Sequence, residues 1–231
     1  MDILKQEKID WLSIRKEIFS VRFNHNRKNP IWDKAIDLFE TSIENKYLFP
    51  LDHVQVNGDE DGEGYSIISI ISILIEVLAS YRYGQIFQRD PVEEYEYNDS
   101  KNLYKGFLKD IPDFKRSFEG IKLRSEYDVE NFDCYLDFYW NVRCSLLHGG
   151  QLRNNWIISS YESNDKNDII FIKERGDKKV IYRNILINVI NSYFTDYITI
   201  LRNDNRGYDI FRQQFGRRMD WHFEITTYKS W

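Results

Sequence analysis

The sequence predicts a mainly α-helical protein, a helical bundle with a small antiparallel β-meander inserted near residues 155 to 182. Three observations lead there. Apolar residues recur at three- and four-residue steps through most of the chain, the period of one buried helix face. β-rich runs occur in one place only, at 156–161, 169–173 and 179–182, separated by the turn-forming segments Ser163-Asn164-Asp165-Lys166-Asn167 and Arg175-Gly176-Asp177-Lys178. A chain of 231 residues, 42% hydrophobic and 16% aromatic, can bury a substantial core, so one domain over residues 1–231 is expected.

In chain order, residues 8–23 carry Ile9, Leu12, Ile14, Ile18, Phe19 and Val21 as a rough helical stripe, which a polar run and Pro30 close. A second helix is predicted from Ile31 to Tyr47, with Ile36, Phe39 and Ile43 inward. His25 and His53 sit in polar, loop-like surroundings and read as solvated. The acidic stretch Asn57 to Gly64 lacks the ligand pattern of a calcium loop and reads as a turn. A long helix follows from Tyr65 to about Phe87, apolar nearly all round and therefore central. Its polar exceptions, Ser69, Ser72, Glu76, Ser80 and Tyr83, step by three and four and form one seam. Residues 89–127 read as an irregular connecting excursion with short helical pieces such as 102–108. Helix resumes over 128–147 and again over 183–201.

Composition excludes several function classes. The apolar stretch Ile67 to Ala79 is too short to span a membrane, and the charged N-terminus does not read as a signal peptide. Cys134 and Cys144 lie ten positions apart on one predicted helix, about 15 Å along its axis, too far to bridge; a reduced cytoplasm fits. No Cys/His spacing suits a metal, and no phosphate-binding glycine loop or nucleophile elbow occurs, so neither metal nor cofactor is expected. A net charge of −5 argues against coating nucleic acid but leaves room for a local basic groove. The segment 202–218 is the candidate: Arg202, Arg206, Arg212, Arg217 and Arg218 against two aspartates, interleaved with Tyr208, Phe211 and Phe215. Such a mix binds phosphate and stacks bases, or equally forms a solvated helix with core aromatics.

The most informative stretch is 139–150, YWNVRCSLLHGG. At 3.6 residues per turn, Asp137, Asn141, Cys144, Ser145 and His148 share one polar stripe. Arg143, five positions before His148, lies about 140° away on an ideal helix. The two side chains converge only if Gly149 unwinds the last turn in a left-handed conformation, or if each meets its counterpart across a dimer. Histidine suits general acid–base chemistry near neutrality, and arginine suits a phosphorane. The alternative is structural: His148 caps the helix, and Arg143 pairs with Asp137 or Glu76. Glu76 would face Arg143 or His148 if the long helix packs beside this one.

The Arg143-x4-His148 spacing at a helix end, with glycine directly after, resembles the HEPN superfamily of all-helical domains. That resemblance implies a metal-independent endoribonuclease of a defence or toxin–antitoxin system, with Arg143 and His148 as its catalytic pair. In the resulting assignment Asn141 and Ser145 orient ribose or phosphate and Glu76 positions Arg143. Cys144 stands where active members frequently carry asparagine, aspartate or histidine. The resemblance further implies a homodimer with a composite cleft, RNA as substrate, and a cognate antitoxin as a possible partner. A degenerate domain that binds RNA or dimerises without cutting is the alternative.

Overall fold

The computed structural model describes residues 3–21, 30–57, 62–121, 133–160, 169–203 and 209–231. They form a mainly helical structure with two small sheets, in agreement with the predicted fold class. The helices are α1 (Ile3–Val21), α2 (Ile31–Ile43), α3 (Phe49–Asn57), α4 (Glu63–Tyr83), α5 (Ser100–Asp110), α6 (Pro112–Glu119), α7 (Cys134–Phe138), α8 (Ser145–Gly149), α9 (Arg183–Arg202) and α10 (Asp209–His222). The strands are β1 (Ile86–Phe87), β2 (Glu96–Tyr97), β3 (Trp156–Ser159), β4 (Ile172–Arg175) and β5 (Lys178–Tyr182). Where one domain is expected, contacts divide the chain into two compact units, with boundaries inside α4 and α9.

The first unit comprises Met1–Leu48, Ser80–Asn98 and Phe194–Trp231. Phe39 of α2 is its aromatic centre, with Tyr81, Phe215 and Phe194 rings at 4.5, 5.3 and 6.0 Å. In α1 the inward face is Trp11, Ile14 and Ile18; Ile9 and Leu12, predicted to share that stripe, are exposed. Trp11 decides the rotation because its indole Nε1 donates to the fully buried Asp220. Asp220 also accepts from Arg15 Nε and Trp231 Nε1, so two indoles and a guanidinium close around one carboxylate. The helix predicted to reach Tyr47 widens into a π turn at Glu44–Leu48. Pro50, just beyond, lacks an N–H and crowds the carbonyl four residues back; a wider turn absorbs that clash. His53 lies on α3 and is exposed, while His25 and residues 58–61 of the acidic turn lie outside the described residues.

The second unit comprises Phe49–Ala79 and Asp99–Tyr193. The supposed connecting excursion supplies much of its core: α5 and α6 bury Leu103, Tyr104, Phe107, Leu108, Phe114 and Phe118. Asp99 caps α5 by accepting the Lys101 N–H at 2.9 Å, and Pro112 opens α6 where its missing N–H costs nothing. The sheet is not the predicted meander. Its order is β3-β5-β4, with β3 parallel to β5 and only β4 antiparallel. The turn at Gly176-Asp177 does make the expected hairpin, from Arg175 opposite Lys178, whereas the turn predicted at 163–167 lies outside the described residues. β5 takes the centre because Lys179 through Tyr182 are buried on both faces, the pattern of an inner strand. Nor is the sheet an appendage: Trp156 packs edge-on to Phe138, and Phe171 against Phe114 and Phe118. Among the described residues, α4 is the one helix long and apolar enough to cross a membrane, and 61% of its most apolar window is buried in the protein.

Candidate active site

The motif lies entirely in the second unit, on one helical path from Cys134 to Gly149. Asp133 starts it, its carboxylate accepting the N–H groups of Tyr135 and Leu136. Residues Tyr139–Cys144 form a π turn rather than the regular helix predicted for 128–147. Two consequences are visible. The Ser145 hydroxyl donates to the Trp140 carbonyl at 2.9 Å, and the Asn141 carbonyl turns outward to accept the Arg153 N–H at 3.0 Å. Wide turns of this kind recur at functional sites because they change which side chains share a face.

Arg143 is held on several sides. Its Nη2 donates to Glu76 Oε2 of α4 at 2.5 Å and its Nη1 to Cys144 Sγ at 3.7 Å, while its guanidinium lies 5.4 Å from the Tyr139 ring centroid. Tyr139 is itself fixed by a 3.0 Å hydrogen bond with Ser100 of α5. Burial alone would lower the arginine's pKa, but the Glu76 charge and the two hydrogen bonds raise it above its ordinary value. Of the two partners open to the sequence, Glu76 and Asp137, the fold selects Glu76.

His148 is exposed, and its ring makes no side-chain hydrogen bond to a described residue. The helix continues through Gly149, and the left-handed conformation expected there falls on Gly150, with φ 67° and ψ 13°. The last turn therefore does not unwind. Arg143 points inward to Glu76 and His148 outward to solvent, and no hydrogen bond joins them.

The polar stripe divides in the same way. Asn141 Nδ2 donates to Asp137 Oδ1 at 2.8 Å, and the Ser145 hydroxyl, committed to the helix backbone, is buried. Asp137 is the anchor of this region: it also accepts from Asn154 Nδ2 at 2.7 Å, Trp156 Nε1 at 2.9 Å and Lys179 Nζ at 2.5 Å. Asn154 and Asn155 take positive φ, 52° and 59°, which asparagine tolerates better than most side chains. The sequence placed Asp137 on the stripe but gave no sign of Lys179 as its partner, since a lysine opening a strand ordinarily faces water.

The basic segment belongs to the first unit and reads differently residue by residue. Arg202 is neutralised by Asp37 and Glu40 at 2.7 and 2.6 Å. Arg212 is buried, donating from Nε to the Leu201 carbonyl at 2.8 Å with its guanidinium over Trp32. These two tie elements together and are not free to read a strand. Arg206 lies outside the described residues. Arg217 and Arg218 lie over aromatic rings without a carboxylate partner among the described residues. No group of three or more His, Cys, Asp or Glu among the described residues is placed to hold a metal ion.

Sequence reasoning assigned Ser100 no role and Tyr139 no role in holding Arg143; the available signal was an aromatic residue four positions, one helical turn, before the arginine. Comparison with protein-family models, curated proteins and solved structures found no match for this chain.

Proposed function

We propose that this protein is a metal-independent endoribonuclease of the HEPN type, cleaving RNA by attack of the ribose 2′ oxygen. The observation that carries the reading is the division of roles along one helix. A guanidinium is fixed by Glu76, Cys144 and Tyr139, and an exposed imidazole without a side-chain partner among the described residues stands five residues on. The fixed guanidinium offers its remaining N–H groups to a phosphorane, for which its planar fork is suited. The free imidazole takes the 2′ proton or supplies one to the 5′ oxygen. Because the two diverge within one chain, the reading requires two copies, the Arg143 of one facing the His148 of the other about a twofold axis. An antitoxin covering His148 would silence such an enzyme.

A second reading draws on one observation. The Arg143 side chain is only 16% exposed and both its terminal nitrogens are engaged, as suits a domain that binds RNA or dimerises without cutting.

Incubation with total RNA in EDTA separates the two. The enzyme leaves 2′,3′-cyclic phosphate ends, does not cut DNA, and loses activity in His148→Ala. A magnesium requirement, equal cleavage of DNA, or activity surviving in both Arg143→Ala and His148→Ala would overturn the assignment.

A further inference from the structure

α10 of the first unit closes with the two bonds that commonly end a helix: the Glu224 N–H donates to the Trp221 carbonyl at 3.0 Å, and the Ile225 N–H to the Asp220 carbonyl at 2.8 Å. The residue at the centre of such a stop is left-handed, and glycine is its usual occupant because it has no Cβ to strain. Here it is Glu224, with φ 58°. A carboxylate at a helix C-terminus also meets the negative end of the helix dipole. Glu224 is thus disfavoured twice, and its surroundings return little. Its side chain is 89% exposed, and its ion-pair partner among the described residues, Lys8, lies 3.8 Å away at the surface. A side chain held against local preference, with no packing to offset it, points to a functional contact.

Glu224 lines an open cavity of about 400 Å³, within the size range of small-ligand sites, together with Trp221, His222, Ile225 and Tyr228. The aromatic walls are already held. The Tyr228 hydroxyl donates to Glu96 Oε1 and accepts from Gln88 Nε2, both at 3.2 Å, and the Arg218 guanidinium lies 4.3 Å from the Trp221 ring centroid. Burial, then the positive charges of Arg218 and Lys46, keep His222 down at about 4, so its ring is neutral at neutral pH and adds a hydrogen-bonding group rather than charge. Aromatic walls take either an organic cation or a flat neutral ring. A cation is disfavoured, because Arg218 already lies over Trp221 and acts with Lys46 on His222. For a flat ring, the Glu224 carboxylate requires N–H donors at the ring edge. Two adjacent donors match its two oxygens as a guanidinium does, and among the nucleobases guanine presents them, at N1 and the 2-amino group.

We propose that this cavity binds a guanine base, its ring against Trp221 and its N1 and 2-amino hydrogens donated to the Glu224 carboxylate. The site excludes Arg143 and His148 and stands whether or not the chain cleaves RNA. A free guanine nucleoside and a guanine within an RNA strand share this chemistry.

Calorimetry on the full chain tests it with guanosine, adenosine, and the trinucleotides UGU and UAU carrying 2′-O-methyl riboses, which attack by a 2′ oxygen cannot cleave. In at least one of the two pairs the guanine member should bind about tenfold or more tightly than its adenine counterpart, which presents an acceptor in place of N1–H. Whichever of guanosine and UGU binds tighter identifies the source of the base. Glu224→Gln and Trp221→Leu should each weaken binding about tenfold or more, whereas Glu17→Gln, which removes an exposed carboxylate of α1, should leave it unchanged. Glu224→Gly should bind as weakly as Glu224→Gln while melting at a higher temperature than the unaltered protein without ligand, a gain that separates loss of the carboxylate from damage to the fold. Absence of binding by guanosine and UGU, equal binding of the adenine probes, undiminished binding in either Glu224 variant, or a lower melting temperature for Glu224→Gly would overturn the proposal.

Discussion

Asp137 and Lys179 form a buried ion pair, Oδ2 to Nζ at 2.5 Å, with side chains 6% and 2% exposed. It ties the motif helix to the central strand of the sheet, and Trp156 and two asparagines satisfy the rest of the carboxylate. Removing one member leaves the other without its counter-charge in the core. Lys179→Met should therefore destabilise the protein by about 3 to 5 kcal/mol, and Asp137→Leu, which also strands the Trp156 and asparagine donors, by at least as much, whereas the double replacement Asp137→Leu/Lys179→Met should cost less than the sum of the two single ones. Urea denaturation of the three variants checks the order.

Glu76 holds Arg143 from across the unit, so the carboxylate matters more for the position of the guanidinium than for folding. On the proposed reaction, Arg143→Ala should lower the rate roughly a hundredfold, by analogy with the loss of one transition-state donor. Glu76→Gln keeps a hydrogen-bond acceptor and should lower the rate about tenfold while costing about 1 kcal/mol of stability. Rates on one RNA substrate, with thermal melts of the same preparations, separate the two effects.

Gly216 sits on α10 where an added Cβ would lie 2.6 Å from the Trp231 ring. Trp231 donates to Asp220 at 2.7 Å and stacks on Trp11, so Gly216→Ala must displace a ring that anchors the first unit. A loss of about 1 to 3 kcal/mol is expected. With Trp231→Ala already present, the same glycine change should become neutral or stabilise by about 0.5 to 1 kcal/mol, because alanine favours the helix. A double-mutant cycle that shows simple additivity would contradict this packing.

His222 titrates at about 4 in the folded protein, against an ordinary 6.5, because burial and then Arg218 and Lys46 disfavour its cation. Its unfolded form binds the extra proton first. The stability linked to this ring is therefore complete above pH 6.5 and declines as pH falls toward 4, by roughly 2 kcal/mol once its partial exposure is discounted. His222→Asn should flatten this part of the profile. Melting temperatures of both proteins at pH 7, 5.5 and 4.5 measure the difference.

The sequence by itself placed the longer helices, because periodicity reports burial on one face, but not the short α3 and α6. Ile36, Phe39 and Ile43, and the run from Ile185 to Leu201, lie inside as their spacing requires. It also isolated Glu76, Arg143 and His148 as the residues with chemistry to offer. Tertiary structure decided what spacing cannot encode. Trp11 turns α1 toward Asp220, which lies 209 residues away in the chain. β5 enters between β3 and β4 because a strand buried on both faces belongs in the middle, whichever order the chain supplies. The choice of Glu76 over Asp137 as partner of Arg143 was equally invisible, since it follows from Lys179 and Trp156 occupying Asp137 first. Local pattern fixes the elements and their polar stripes; which stripes meet depends on long-range competition for buried partners, and only the packed chain resolves it.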